Sequence, residues 1–114
     1  MLIDGKVQIA GDLKVDGKIF GKELEVEKIT IATPAATPDG KNRASLGTAK
    51  IVSGETSVVV ETTTVNANSK VFVTPITKTD KVLSVTTKVD KTSFTVEATS
   101  SATTDVEFNW WIVN

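Results

Sequence analysis

The chain has 114 residues, a formal net charge of -1, 39% hydrophobic and 24% charged residues, and neither cysteine nor histidine. Such a length supports one modest hydrophobic core with a short appendage, and the composition is that of a folded chain. The interspersed charges exclude a basic stripe for nucleic acid, the missing cysteines exclude disulfides and thiolate metal sites, and no apolar run approaches the roughly 18 residues that membrane insertion requires.

Threonine and valine dominate and tyrosine is absent. β-Branched side chains are stiff at χ1 and suit a pleated surface better than a helix, so strands are expected nearly throughout. Met1-Leu2-Ile3 runs directly into Asp4-Gly5, so no cleavable leader is expected, and the sequence displays no export route.

Residues 1–31 carry a short repeat. Gly5, Gly11 and Gly17 are six apart, and each is followed two positions later by an aliphatic residue: Val7, Leu13 and Ile19. A second aliphatic follows at Ile9 and Val15, and Phe20 breaks the third unit. Period-two alternation predicts short strands with one apolar face, separated by turns at Asp4-Gly5, Ala10-Gly11-Asp12 and Asp16-Gly17. The alternation continues out of phase from Glu23 to Ile31, with Leu24 and Val26 on one face and Glu23, Glu25 and Glu27 on the other. Rungs this short cannot bury an apolar face alone, so the segment is expected to be a β-repeat shaft or base completed by copies from neighbouring subunits. The alternative is a β-meander packed on the main domain.

Residues 32–46 are expected to be a linker, because Pro34, Pro38 and the Asp39-Gly40 pair oppose regular sheet. Residues 47–114 then read as a head. Strands are predicted over Thr48–Val52, Ser57–Thr63, Lys70–Thr74, Lys81–Lys88, Thr92–Thr99 and Val106–Val113. A strand about every ten residues, with polar turns between, predicts a β-sandwich or a jelly-roll-like head. Leu83 with Val85, Phe94 with Val96 and Ala98, and Val106 with Phe108, Trp110 and Ile112 are the expected inward rows.

Without histidine and cysteine, the usual general base and the commonest metal ligands are missing, and no Ser-His-Asp or Cys-His arrangement can form. Most carboxylates fall at turns or outward strand positions, which reads as a solvated face. Gly5, Gly11 and Gly17 lack the spacing of a dinucleotide fingerprint. No catalytic, cofactor-binding or metal-ligating residue is assigned, no cofactor is expected, and the chain is read as a non-enzyme.

One feature stands out. Trp110 and Trp111 are neighbours in a predicted strand and must face opposite sides. If Trp110 joins Phe108 and Ile112 in the core, Trp111 and Val113 face outward, where an exposed tryptophan points to a subunit or ligand interface. The expected interface set is therefore Trp111 and Val113 in the head, with Ile9, Val15, Leu24 and Val26 in the shaft.

The tract from Thr48 to Asn114 carries Ser69-Lys70-Val71-Phe72-Val73-Thr74-Pro75, Leu83-Ser84-Val85, Ser93-Phe94-Thr95-Val96 and the closing Phe108-Asn109-Trp110-Trp111-Ile112-Val113. On these residues it resembles the terminal domain of phage tail-fibre-like and bacterial surface-fibre proteins, and residues 1–31 are similar to the Gly-spaced β-shaft that precedes such heads. The resemblance implies a homotrimeric fibre or spike head, on a virion or a cell surface, that contacts a receptor or glycan. It implies neither nucleic-acid binding nor membrane insertion. Two alternatives stand beside it: a structural subunit of an extracellular filament or capsid decoration, and a carbohydrate-binding β-sandwich with Trp111 as a stacking platform.

Overall fold

Alternating apolar and polar residues give the chain its six strands. In the computed structural model, which describes residues 2–35 and 38–114, these are β1 Leu46–Ile51, β2 Ser57–Glu61, β3 Lys70–Pro75, β4 Leu83–Val89, β5 Ser93–Ala98 and β6 Val106–Val113. Met1, and Ala36 and Thr37 of the expected linker, lie outside the described residues.

The strands form two antiparallel sheets of three, ordered β1-β6-β3 and β2-β5-β4. This is a six-stranded sandwich, two strands short of the eight of a jelly roll. The central strands supply most of the core: Phe108, Trp110 and Ile112 from β6 face Phe94 and Val96 from β5, with Ile51, Val60, Val65 and Ala44 around them. Trp110 meets the Phe94 ring edge-on across the two sheets, with centroids 5.4 Å apart and planes at 68°. Such a pairing satisfies the ring quadrupoles as well as burying area.

Strand β4 carries an irregularity between Val85 and Thr87 that shifts its register on β5. A bulge with an adjacent lysine is a common way to blunt an edge strand against pairing with another chain. Lys88 has a second use here, because its Nζ donates to the Ser69 carbonyl at 2.7 Å and ties the β4 edge to the start of β3. The β4–β5 hairpin closes on Asp90 and Lys91, with the Thr92 amide donating to the Val89 carbonyl at 3.1 Å. Lys91 there takes a φ of 53°, a left-handed conformation uncommon for a residue with a Cβ.

The expected linker is shorter than residues 32–46. Ala44 is buried, and Thr62 Oγ1 donates to its carbonyl at 2.7 Å. The Thr63 amide donates to the Asn42 carbonyl, and the Ile112 amide to the Ser45 carbonyl. Residues 42–45 are therefore part of the head. Their polar sequence hid this, because the attachment runs through backbone carbonyls instead of apolar side chains.

The chain divides into two compact units, one ending at Thr30 and one spanning Ile31–Asn114. In the first, the strands expected over residues 1–31 are not formed within a single chain, and neither is the meander alternative: residues 2–30 contain no strand. Among the described residues, no backbone–backbone hydrogen bond falls in this segment. The backbone instead bends at Gly5, Ala10-Gly11, Asp16-Gly17, Lys22 and Glu27. The repeat thus continues past Phe20, with Gly21 beside the bend at Lys22, and the next step to Glu27 is five residues with no glycine to mark it.

Candidate binding surface

Strand β6 is buried on one side only. Phe108 and Trp110 are 0% and 4% exposed, whereas Trp111 is 45% exposed. Gly47 makes room for this arrangement. It lies opposite Trp110 on β1, and a Cβ built there would stand 2.8 Å from Cζ2 of the indole. Any larger residue at 47 would push Trp110 out of its place against Phe94.

Residues directly opposite in antiparallel strands project to the same face, so the registers of β1 and β3 on β6 define the outer surface of this sheet. Leu46, Trp111 and Phe72 stand in one row. The Phe72 and Trp111 rings are 5.9 Å apart and inclined at 37°, and both are about half exposed. The next row is Thr48, Asn109 and Thr74, where Thr48 Oγ1 donates to Asn109 Oδ1 at 2.9 Å. Beyond it stand Lys50 and Glu107. Together the aromatic and polar rows border a shallow, solvent-open groove of about 440 Å³.

At the end of this face, Asp105 joins two loops. Its Oδ1 accepts from the Ser53 amide at 2.9 Å, and its Oδ2 lies 3.3 Å from Lys50 Nζ. The hydrogen bond from the Ser53 backbone, followed by that from Lys50, holds the carboxyl below its ordinary value.

Of the residues expected at an interface, Trp111 and half-buried Val113 share the outer face of β6. Ile9, Val15, Leu24 and Val26 lie in the N-terminal unit, all exposed. Phe72, Leu46, Thr48, Asn109 and Thr74 were not singled out from the sequence. Alternation with Val71 and Val73 marks Phe72 as outward-facing, but its place beside Trp111 depends on β3 pairing with β6 across more than thirty residues of chain. Among the described residues, no group of three or more acidic side chains converges in the manner of a metal site, the Glu23-Glu25-Glu27 row included. Among the described residues, no helix is long and apolar enough to cross a membrane.

Residues 43–113 match the family described as K1 capsule-specific polysaccharide lyase, C-terminal domain. No curated protein matches the chain, and no solved structure does.

Proposed function

The chain belongs to the family of the K1 capsule-specific polysaccharide lyase C-terminal domain, and from that membership we propose that it is a non-catalytic structural domain of a phage tail spike, assembled as a homotrimer on the virion. The head is the six-stranded sandwich. The N-terminal unit is the shaft through which three copies associate, and the particle addresses the polysaccharide surface of a host cell.

The observation that carries this reading is the state of residues 2–30. Eleven large hydrophobic side chains there are exposed, among them Leu13, Ile19, Phe20 and Leu24. Their backbone groups make no hydrogen bonds to one another. A backbone with open donors and acceptors and apolar side chains in water suits completion by strands from other copies. Two rows flank the bends: Ile3, Ile9, Val15 and Val26 precede four of the five, and Val7, Leu13, Ile19, Leu24 and Ile29 follow all five. Rungs of five or six residues, each turned by a bend, suit a shaft in which the partner strands come from two further copies wound about a common axis.

Side-chain chemistry supports a non-catalytic role. Elimination from a polysaccharide needs a base and an acid poised near neutral pH, and the sequence has neither histidine nor tyrosine for that work. In this reading the lyase chemistry of the family belongs to another part of the spike.

Amide hydrogen exchange on the full chain tests the shaft directly. Protection of the amides in residues 2–30, despite the lack of partners within one chain, is the expected result. Exchange of those amides at the rate of an unstructured peptide contradicts the reading.

A further inference from the structure

We propose that the outer face of the β1-β6-β3 sheet is a saccharide-binding platform, with one sugar ring stacked on Trp111 and Phe72 and its neighbour hydrogen-bonded by Asn109, Thr48 and Thr74. The proposal rests on the spike reading for its biological setting, and on the geometry of this face for its chemistry.

A sugar ring has an apolar face of C–H bonds and a rim of hydroxyls that both donate and accept. Binding it takes an aromatic plane with mixed donors and acceptors one ring's length away. The two rows supply that pair. The indole of Trp111 and the ring of Phe72 lie 5.9 Å apart, inclined at 37°, and both are about half exposed. One step along the strands, about 6.6 Å away, stand a carboxamide and two hydroxyls. The Asn109 carbonyl oxygen is held by Thr48 Oγ1. That bond fixes the amide plane and leaves Asn109 Nδ2, which donates to no described residue, facing outward with the Thr74 hydroxyl.

The size of the face separates this occupant from a second copy of the chain. Strand β1 has six residues. At about 3.3 Å per residue and about 4.8 Å between strands, three such strands cover roughly 20 by 15 Å, or about 300 Å². A stable subunit contact takes about 800 Å² from each partner. The apolar part is smaller still, the row of Leu46, Trp111 and Phe72 with half-buried Val113 beside Lys70 on one side, and is bounded on the other by the polar row and then by Lys50, Glu107 and Asp105. A footprint of this size and polarity fits two or three sugar rings. Rigid strands carry every one of these side chains, and Trp110 anchors the central strand from beneath, so the platform is formed before the ligand arrives.

The test is a printed array of bacterial capsular and surface polysaccharides, probed with the labelled full-length protein and with Trp111→Ala, Asn109→Ala and Lys81→Ala. Wild type and Lys81→Ala are expected to retain the same polysaccharide. Trp111→Ala is expected to lose at least about tenfold in apparent affinity, and Asn109→Ala to lose a smaller factor. Thermal melts and native masses of the variants are expected to match wild type. Failure of wild type to bind any polysaccharide overturns the proposal, as does binding by Trp111→Ala at the wild-type level. A change of native mass in Trp111→Ala also overturns it, by making the face a subunit contact. The spike reading fails on a different measurement, the exchange protection of residues 2–30, so the two outcomes are independent.

Discussion

Gly47 and Trp110 face each other across β1 and β6 so closely that a single methyl group on Gly47 would stand 2.8 Å from Cζ2 of the indole. The indole cannot retreat, because Phe94 lies against it with ring centroids 5.4 Å apart. Gly47→Ala is therefore expected to destabilise the head by about 1–3 kcal/mol, the usual cost of overpacking a formed core. Thermal melting of the variant checks this, and an unchanged midpoint contradicts it.

The two tryptophans should part company under truncation. Trp110→Ala removes a buried indole from the middle of the core and is expected to cost about 3–5 kcal/mol, a large part of the stability of so small a domain. Trp111→Ala removes a half-exposed ring from the opposite face and is expected to cost less than about 1 kcal/mol. Chemical denaturation of both variants provides the comparison. Equal destabilisation would mean that both faces of β6 are buried.

The acid response runs through Asp105. Its carboxyl is held below the ordinary value in the fold, chiefly by the Ser53 amide and then by Lys50. A carboxyl whose folded pKa is depressed contributes stability that is present above its unfolded pKa and is lost as pH falls through the folded value. Stability should thus decline from about pH 4 downward. Asp105→Asn should flatten that decline while weakening the head at neutral pH. Between about pH 6 and 8 the melting midpoint should stay level, since the sequence has no histidine to titrate there. Melts of wild type and Asp105→Asn across pH 3 to 8 check both statements, and an identical acid slope in the two proteins contradicts the first.

The start of the head can be located by deletion. A chain of residues 42–114 keeps the bonds from Thr62 to the Ala44 carbonyl, from Thr63 to Asn42 and from Ile112 to Ser45. A chain of residues 47–114 loses them and the burial of Ala44. The shorter form is expected to be less stable by about 2–4 kcal/mol. Equal melting midpoints would show that residues 42–46 are dispensable.

Much of the head was legible because its strands alternate cleanly. Strand β6 falls on the predicted bounds Val106–Val113, and the other five overlap their predicted spans. The run expected to continue to Thr63 stops at Glu61, opposite Ser93 where β5 begins, and the Thr63 amide bonds instead to the Asn42 carbonyl. Strand order was not legible. That β6 lies between β1 and β3 depends on contacts across the whole head, so the row of Leu46, Trp111 and Phe72 could not be read from local pattern. In the N-terminal unit glycines stand at or beside the bends as far as Lys22, which follows Gly21, whereas Glu27 turns the chain without a glycine to mark it. The strands expected there are not formed within a single chain.

The central claim is that three copies complete the N-terminal unit, and native mass by light scattering tests it most directly. The full chain, 12.1 kDa per copy, is expected to elute with the mass of three copies, and residues 42–114 alone with the mass of one. A single-copy mass for the full chain at micromolar concentration, or a three-copy mass for the isolated head, would contradict the account.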